Sequence, residues 1–255
     1  MTLADVIIII SRDGGAFLSR WLHVVVGLTW IGLLYYFNFV QVPAFAEMEA
    51  AARNNAVDKL ASRALWWFRW AAVATLVTGI MILLFQKAGD KSQIFSGDYW
   101  KSTPGISIAT GILLALTMFL NVWLVIWPNQ RKVIANARNV QAGGEADPEA
   151  ATAGRKALLA SRMNAIFSLP MLFFMVGTSH FLGGFFKPFP SGSDRAVYWI
   201  IAIVIWGVLE LKALGVGGTK PGGLNAIYDT HRAALVTGFI LVVVYYVLFY
   251  VMFKV

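Results

Sequence analysis

The sequence contains no cysteine, few charged residues and only three histidines. Without cysteine the chain can form no disulfide, no thiolate metal site and no iron–sulfur cluster, and it cannot attach a haem covalently through a C-x-x-C-H motif. Charged residues make up 13% of the 255 residues and hydrophobic residues make up 58%. Soluble domains contain about 25% charged residues. The composition therefore indicates a protein that crosses a membrane several times.

Six long apolar stretches predict six transmembrane helices, because crossing about 30 Å of hydrocarbon takes about 20 helical residues. We place them at about 16–42, 66–86, 105–127, 164–185, 196–214 and 226–253. Pro43 and Pro128 should end the first and third, and Pro170 should kink the fourth. The polar, alanine-rich segment 44–63 predicts an amphipathic surface helix. The predicted fold is an all-α, polytopic membrane helix bundle, with residues 1–255 forming a single integral membrane domain.

The remaining segments are predicted to lie outside the bilayer. Residues 1–15 lack the basic region and cleavage site of a signal peptide, so we expect a short lead-in at the interface. Residues 129–161 predict helical extensions around a flexible tip at 143–148, and residues 183–194 predict a tight loop rich in aromatic residues and proline.

Lysine and arginine counts predict the orientation of the chain. The side that holds both termini carries 8 of the 21 lysines and arginines, and the opposite side carries 13. Because positive charge concentrates on the cytoplasmic side of a membrane, we expect both termini in the periplasm. The same flanking charges account for the net charge of +8, so we do not expect nucleic-acid binding.

Two histidines in different stretches are predicted to lie at the same depth. His23 comes about 7 residues into the first stretch and His180 about 5 or 6 residues before the end of the fourth, each about 8–10 Å below the same face. Neutral imidazoles at matched depth can ligate one haem iron from opposite faces. We therefore predict a b-type haem with His23 and His180 as iron ligands.

Other residues on the same side are expected to complete the haem site. Gly27 and Gly177 would let a flat porphyrin pass close to the backbone. The basic residues that could pair with its propionates are Arg20, Lys187 and Arg195. The alternative is that His23 only hydrogen-bonds across helices, for example to Thr178 or Ser179. The residues alone leave both interpretations open.

The opposite side of the bundle carries the residues that we predict to contact a substrate. At about 100° per residue, His23, Asn38 and Gln41 share one helix face, which should point into the bundle. His231 begins the sixth stretch and is followed by Arg232. The substrate candidates are His231, Arg232, Asn38, Gln41 and Arg69. The alternative is that residues 228–232 form a helix start in the interface, with Arg232 snorkelling, and that the polar face joins helices.

Three segments of the first stretch carry a family resemblance. RWLH at 20–23, GLTWIG at 27–32 and YYFNFVQVPAF at 35–45 closely resemble the membrane domain of the bacterial membrane urate hydroxylases, the cytochrome c-linked proteins of the urate oxidase N-terminal domain family. The segments that also resemble it are 69–70, 163–164, 168–170, 178–180 and 228–232. The resemblance covers nearly the whole chain.

The resemblance implies a protein of the bacterial inner membrane that takes part in purine catabolism by oxidising urate and passing electrons to a cytochrome c. Because the sequence has no C-x-x-C-H motif, we expect it to lack the C-terminal cytochrome c domain of the family. A separate cytochrome c or a larger membrane complex is then the expected partner, besides lipid. The alternative function is a non-catalytic integral subunit of a larger respiratory or oxidase complex.

Overall fold

Six long helices form the protein in a computed structural model that describes residues 11–182 and 185–255. We call them helix 1 to helix 6, in order Arg12–Glu47, Ala50–Phe85, Thr103–Gln141, Glu149–His180, Gly192–Ala213 and His231–Phe253. Each is long and apolar enough to cross a membrane, so the predicted all-α bundle is confirmed. The predicted lead-in at 1–15 and the loop at 183–194 lie partly outside the described residues.

Helices 1 to 3 extend further than predicted because each contains a π-helical segment that continues the run. The successive segments of helix 1 are Arg12–Tyr35, Tyr36–Gln41 (π-helical) and Val42–Glu47. Those of helix 2 are Ala50–Ala56, Val57–Ala61 (π-helical) and Ser62–Phe85. Those of helix 3 are Thr103–Leu120, Asn121–Ile126 (π-helical) and Trp127–Gln141. The predicted surface helix at 44–63 is therefore helical, but it is divided between helices 1 and 2.

Proline explains two of the π-helical segments. Pro43 lies two residues after Gln41, and Pro128 lies two residues after Ile126. A proline ring clashes with the carbonyl four residues earlier and offers no N–H to it. A wide π turn accommodates this defect while the helix continues. The two prolines therefore shift the helices instead of ending them, which is why helices 1 and 3 run past the predicted ends.

Short elements connect the long helices. Lys87–Ala88 and Lys91–Ser92 pair as an antiparallel hairpin. The short helices are Gln93–Phe95 (3-10), Gly97–Lys101, Gly223–Asn225 (3-10) and Ala226–Asp229. Residues 142–148 form the predicted non-helical tip between helices 3 and 4.

Helix 4 is the central helix of the bundle. Within its most apolar stretch 67% of the residues are buried, against at most 39% in the other five helices. Its contacts with helices 3, 6 and 1 include, in that order, Thr178 with Ser107, Ile166 with Gly238, and Ser168 with Tyr35. Side chains on several faces of helix 4 are thus held in the interior of the protein.

Helices 1 and 2 join the hydrophobic core over only part of their length. Among the described residues, the core contains none of helix 1 before Trp30 and none of helix 2 after Ala72. The parts beyond those residues, towards the chain termini, pack against each other, with Gly15 against Phe85. We call the side of the bundle that holds the termini the outer side, and the opposite side the inner side.

Candidate functional site

The His23 ring is held by helix 2. Its Nδ1 lies 3.0 Å from the carbonyl oxygen of Thr75 and 3.1 Å from Oγ1 of Thr78. One turn further along helix 2, a side chain at Gly79 would lie 3.2 Å from Cε1 of His23, so the absence of a Cβ there makes room for the ring. The hydrogen-bond partners are therefore on helix 2, not Thr178 or Ser179 on helix 4.

This contact determines which ring nitrogen of His23 carries the proton. A carbonyl oxygen can only accept a hydrogen bond, so Nδ1 must donate to Thr75. Nε2 of the neutral ring then keeps its lone pair, and among the described residues it has no hydrogen-bond partner. Histidines that ligate metals usually have this arrangement, with the other ring nitrogen donating to a carbonyl or carboxylate.

His180 is exposed and is the last residue of helix 4. No described residue hydrogen-bonds to its ring. The structure thus places both imidazoles with a free coordinating nitrogen, but it shows no direct contact between them.

The register between helices 1 and 4 gives the two histidines the same depth. Tyr35 Oη lies 2.8 Å from Ser168 Oγ, and Asn38 Nδ2 lies 2.8 Å from Ser161 Oγ, so the two helices run antiparallel. His23 lies 12 residues before Tyr35 (35 − 23), and His180 lies 12 residues after Ser168 (180 − 168). Equal separations along antiparallel helices place the two residues at one level.

Between these levels the facing surfaces of helices 1 and 4 are uncovered. Leu172 and Val176 continue the helix 4 face that carries Ser161 and Ser168, and both are exposed. Val24 and Leu28 continue the Tyr35 face of helix 1, and they are exposed as well. We call the space flanked by Val24, Leu28, Leu172 and Val176 the outer groove. It is apolar, with His23 and His180 at its outer end.

The other predicted haem-site residues have different environments. A side chain at Gly27 would meet nothing within 4 Å, so there is open space beside it. Gly177 is buried, and a side chain there would lie 3.2 Å from Leu182, so its Cα faces that residue. Arg20 is exposed one turn before His23, and Arg195 donates to the carbonyl of Pro190.

The inner half of the bundle brings together some of the predicted substrate residues. Asn38 is buried, and its Oδ1 has no hydrogen-bond partner. Gln41 lines a cavity of about 180 Å³ between helices 1, 2, 3 and 4, together with Ser161, and its buried Oε1 is also without a partner. Because Asn38 donates to Ser161, these three residues form one polar group beside the cavity.

The remaining substrate candidates lie on two different sides of this group. His231 is half-buried, with its ring centroid 6.2 Å from that of Phe39, which in turn stacks on Tyr35 at 5.0 Å. Arg232 is exposed. Arg69 lies over the Trp127 ring at 3.7 Å, on the side of helix 3. The structure therefore joins His231 to the Asn38 side of helix 1 and separates it from Arg69.

Two buried polar groups were not among the predicted site residues. Arg162 of helix 4 is 2% exposed, although the sequence suggests only a basic residue in a cytoplasmic extension. Asn121 donates to Asn164 Oδ1 at 3.0 Å and to Glu210 Oε2 at 3.2 Å, which forms a second polar cluster in the core. The apolar residues around Asn164 in the sequence were the only available signal for burial of this part of helix 4.

An ion pair closes the inner end of helix 4 beneath Arg162. Arg155 Nη2 lies 2.7 Å from Asp229 Oδ1, and the amide of Gly222 donates to Oδ2 at 2.7 Å. Burial raises the pKa of Asp229, but the hydrogen bonds from Gly222 and Arg155 outweigh it, so the pKa lies below its ordinary value. Asp229 is therefore a carboxylate at neutral pH.

Comparison with known families assigns the middle of the chain. Residues 92–209 match the family model described as urate oxidase N-terminal. The family resemblance is confirmed over these residues. No curated protein and no solved structure matches the chain. The urate oxidase N-terminal match includes His180 and Arg162, whereas His23 and His231 lie outside it.

Proposed function

We propose that this protein is a membrane redox protein that holds b-type haem between His23 and His180 and oxidises urate or a related purine. The urate oxidase N-terminal match supports a urate-related oxidoreductase role. The observation that carries the haem assignment is the Nδ1–H of His23 donating to Thr75, which leaves Nε2 free at the level of His180. Two apposed imidazoles of this kind suit one iron.

The residues at the outer groove fit such a group. A haem bound there would exchange single electrons through its iron. His23 would be kept in place by Thr75 and Thr78, which fix the ring orientation through Nδ1. Gly27 leaves open space beside the groove, and Arg20 lies towards the outer surface, where a propionate carboxylate needs a cation.

The apolar walls of the outer groove give it a second role. Val24, Leu28, Leu172 and Val176 present only hydrocarbon to the space between the helices. A bound group covering these side chains would bury them and exclude water from the iron ligands, and burial of apolar surface is favourable. Without a bound group, lipid chains would have to cover the same surface.

We place the protein in the bacterial inner membrane with both termini in the periplasm. The six apolar helices and the excess of lysine and arginine on the inner side support this orientation. The outer groove then lies near the periplasmic surface, where a separate cytochrome c or a larger membrane complex can accept electrons. Oxidation of one urate releases two electrons, which two ferricytochrome c molecules take up.

Reduction of added cytochrome c tests this function. Membranes containing the protein should reduce ferricytochrome c when urate is added, and control membranes without it should not. His23→Ala and His180→Ala should each abolish the activity, while Arg232→Gln, at an exposed position away from the outer groove, should leave most of it. Urate-independent behaviour of all variants would contradict the proposal and favour a non-catalytic subunit.

A further inference from the structure

Arg162 carries a buried positive charge that no described residue neutralises. Its side chain is 2% exposed, and Nε and Nη1 are both buried without a hydrogen-bond partner. Asp229, the carboxylate that acts on it electrostatically, already accepts bonds from Arg155 and Gly222. An unpaired guanidinium in the interior costs several kcal/mol. Such a residue is retained more readily when something outside the chain supplies its partner.

The neighbours of Arg162 in helix 4 place it between helices 1 and 6. Ser161, directly before it, accepts a hydrogen bond from Asn38 of helix 1. Ile166, one turn later, packs on Gly238 of helix 6. Because residues at i and i+4 share a helix face, Arg162 projects towards the start of helix 6.

Polar atoms around this position have complementary unused capacity. Arg162 offers two buried donors, while Asn38 Oδ1 and Gln41 Oε1 are buried acceptors without partners. A ligand that satisfies all of them needs negatively charged oxygens for the guanidinium and N–H groups for the two amides. The cavity of about 180 Å³ beside Ser161 is smaller than the 300–1,000 Å³ typical of drug-sized ligands, so only a small molecule fits.

We infer that Arg162 anchors a binding site for a small, planar, anionic oxopurine in the inner half of the bundle, with Asn38 and Gln41 accepting from its ring N–H groups. The oxopurine class rests on the proposed function, whereas the anionic character rests on Arg162 itself. The site lies on the opposite side of the bundle from the outer groove, so the substrate enters from the cytoplasm. Arg162 takes the role that the sequence suggested for Arg232, which is exposed.

Thermal unfolding of the purified full chain in detergent tests the inference, with urate as the anionic probe and hypoxanthine as the neutral purine. Urate should raise the Tm of the wild type in a concentration-dependent way, because a ligand of the folded state stabilises it. Hypoxanthine should have a much smaller effect. Arg162→Met should weaken urate binding about tenfold or more, and Arg162→Lys, which keeps the charge but loses the planar fork, should be intermediate.

Two further readouts separate binding from a structural role. Arg232→Met should keep the full response to urate. Without urate, Arg162→Met should be as stable as the wild type or more stable, since it removes an unpaired buried charge. A lower Tm or misfolding of Arg162→Met would overturn the inference in favour of a structural arginine.

The response of the wild type completes the test. No effect of urate on its Tm, or an equal effect on Arg162→Met, would also overturn the inference. A haem spectrum in the same preparation reports separately on the proposed function, so that proposal can survive the failure of this one.

Discussion

The Asp229 carboxylate and its two hydrogen-bond donors make the stability of the inner end depend on pH. The lowered pKa means that the folded state favours the ionised form. Its contribution is therefore complete above the ordinary pKa of 3.8 and is lost as the pH falls from there through the lowered pKa. Protonation removes the charge that Arg155 pairs with, and the loop at Gly222 loses part of its attachment.

Replacing this carboxylate should reveal the same dependence. Asp229→Asn should reduce the free energy of unfolding by about 1 kcal/mol at pH 7, because it keeps an acceptor for Gly222 but loses the charge. The difference from the wild type should vanish near pH 3, roughly where the wild-type carboxyl is itself protonated. Asp98→Asn is the control, since its contact with Lys101 is 3.7 Å and exposed, and it should change nothing at either pH. A pH-independent difference for Asp229→Asn would contradict the account.

Single residues also mark the limit of what the sequence predicted. The depth of His23 and His180 follows from helix lengths, and the register at Tyr35 and Ser168 agrees with it. The partners of His23 could not be predicted, because nothing in the sequence says that helix 2 lies beside helix 1. Burial of Arg162 was missed because surrounding basic residues made it look like part of a charged extension.

Helix 4 owes its central position to close contact with helix 6. A side chain at Gly238 would lie 2.7 Å from Cδ1 of Leu169 and 3.1 Å from the carbonyl oxygen of Ile166. The carbonyl belongs to the helix backbone and cannot move aside, so the two helices approach closely only because residue 238 is glycine.

Gly238→Ala should therefore separate helices 4 and 6 and lower the free energy of unfolding by about 1–3 kcal/mol, the usual cost of overpacking. Gly207→Ala in helix 5 is the matched control, because a side chain there meets nothing within 4 Å. Thermal unfolding in detergent should show a lower Tm for the first variant only. Equal Tm values would mean that the helices adjust at no cost and that this contact does not fix helix 4.

The number of long helices was predictable, but their ends were not. Apolar length alone identified six, because the hydrocarbon core imposes a minimum length on each. Pro43 and Pro128 were expected to end their helices, yet each is accommodated by a π-helical turn. Whether a proline ends a helix depends on packing around it, which the local sequence does not contain.

The orientation of the bundle in the membrane can be tested because the chain has no cysteine. Single cysteines at Ser193 and Glu145, both exposed, would lie on the outer and inner sides respectively. In intact cells a membrane-impermeant maleimide should label Ser193→Cys, and it should label Glu145→Cys only after lysis. The reverse pattern would put the termini in the cytoplasm and the outer groove out of reach of a periplasmic cytochrome c.

The most direct test of the proposed haem site is the visible absorption spectrum of the purified protein. The account predicts the sharp bands of a reduced haem with two histidine ligands, their loss in His23→Ala and in His180→Ala, and their retention in His231→Ala. A wild-type protein without haem bands, or bands that persist when His23 is replaced, would contradict it.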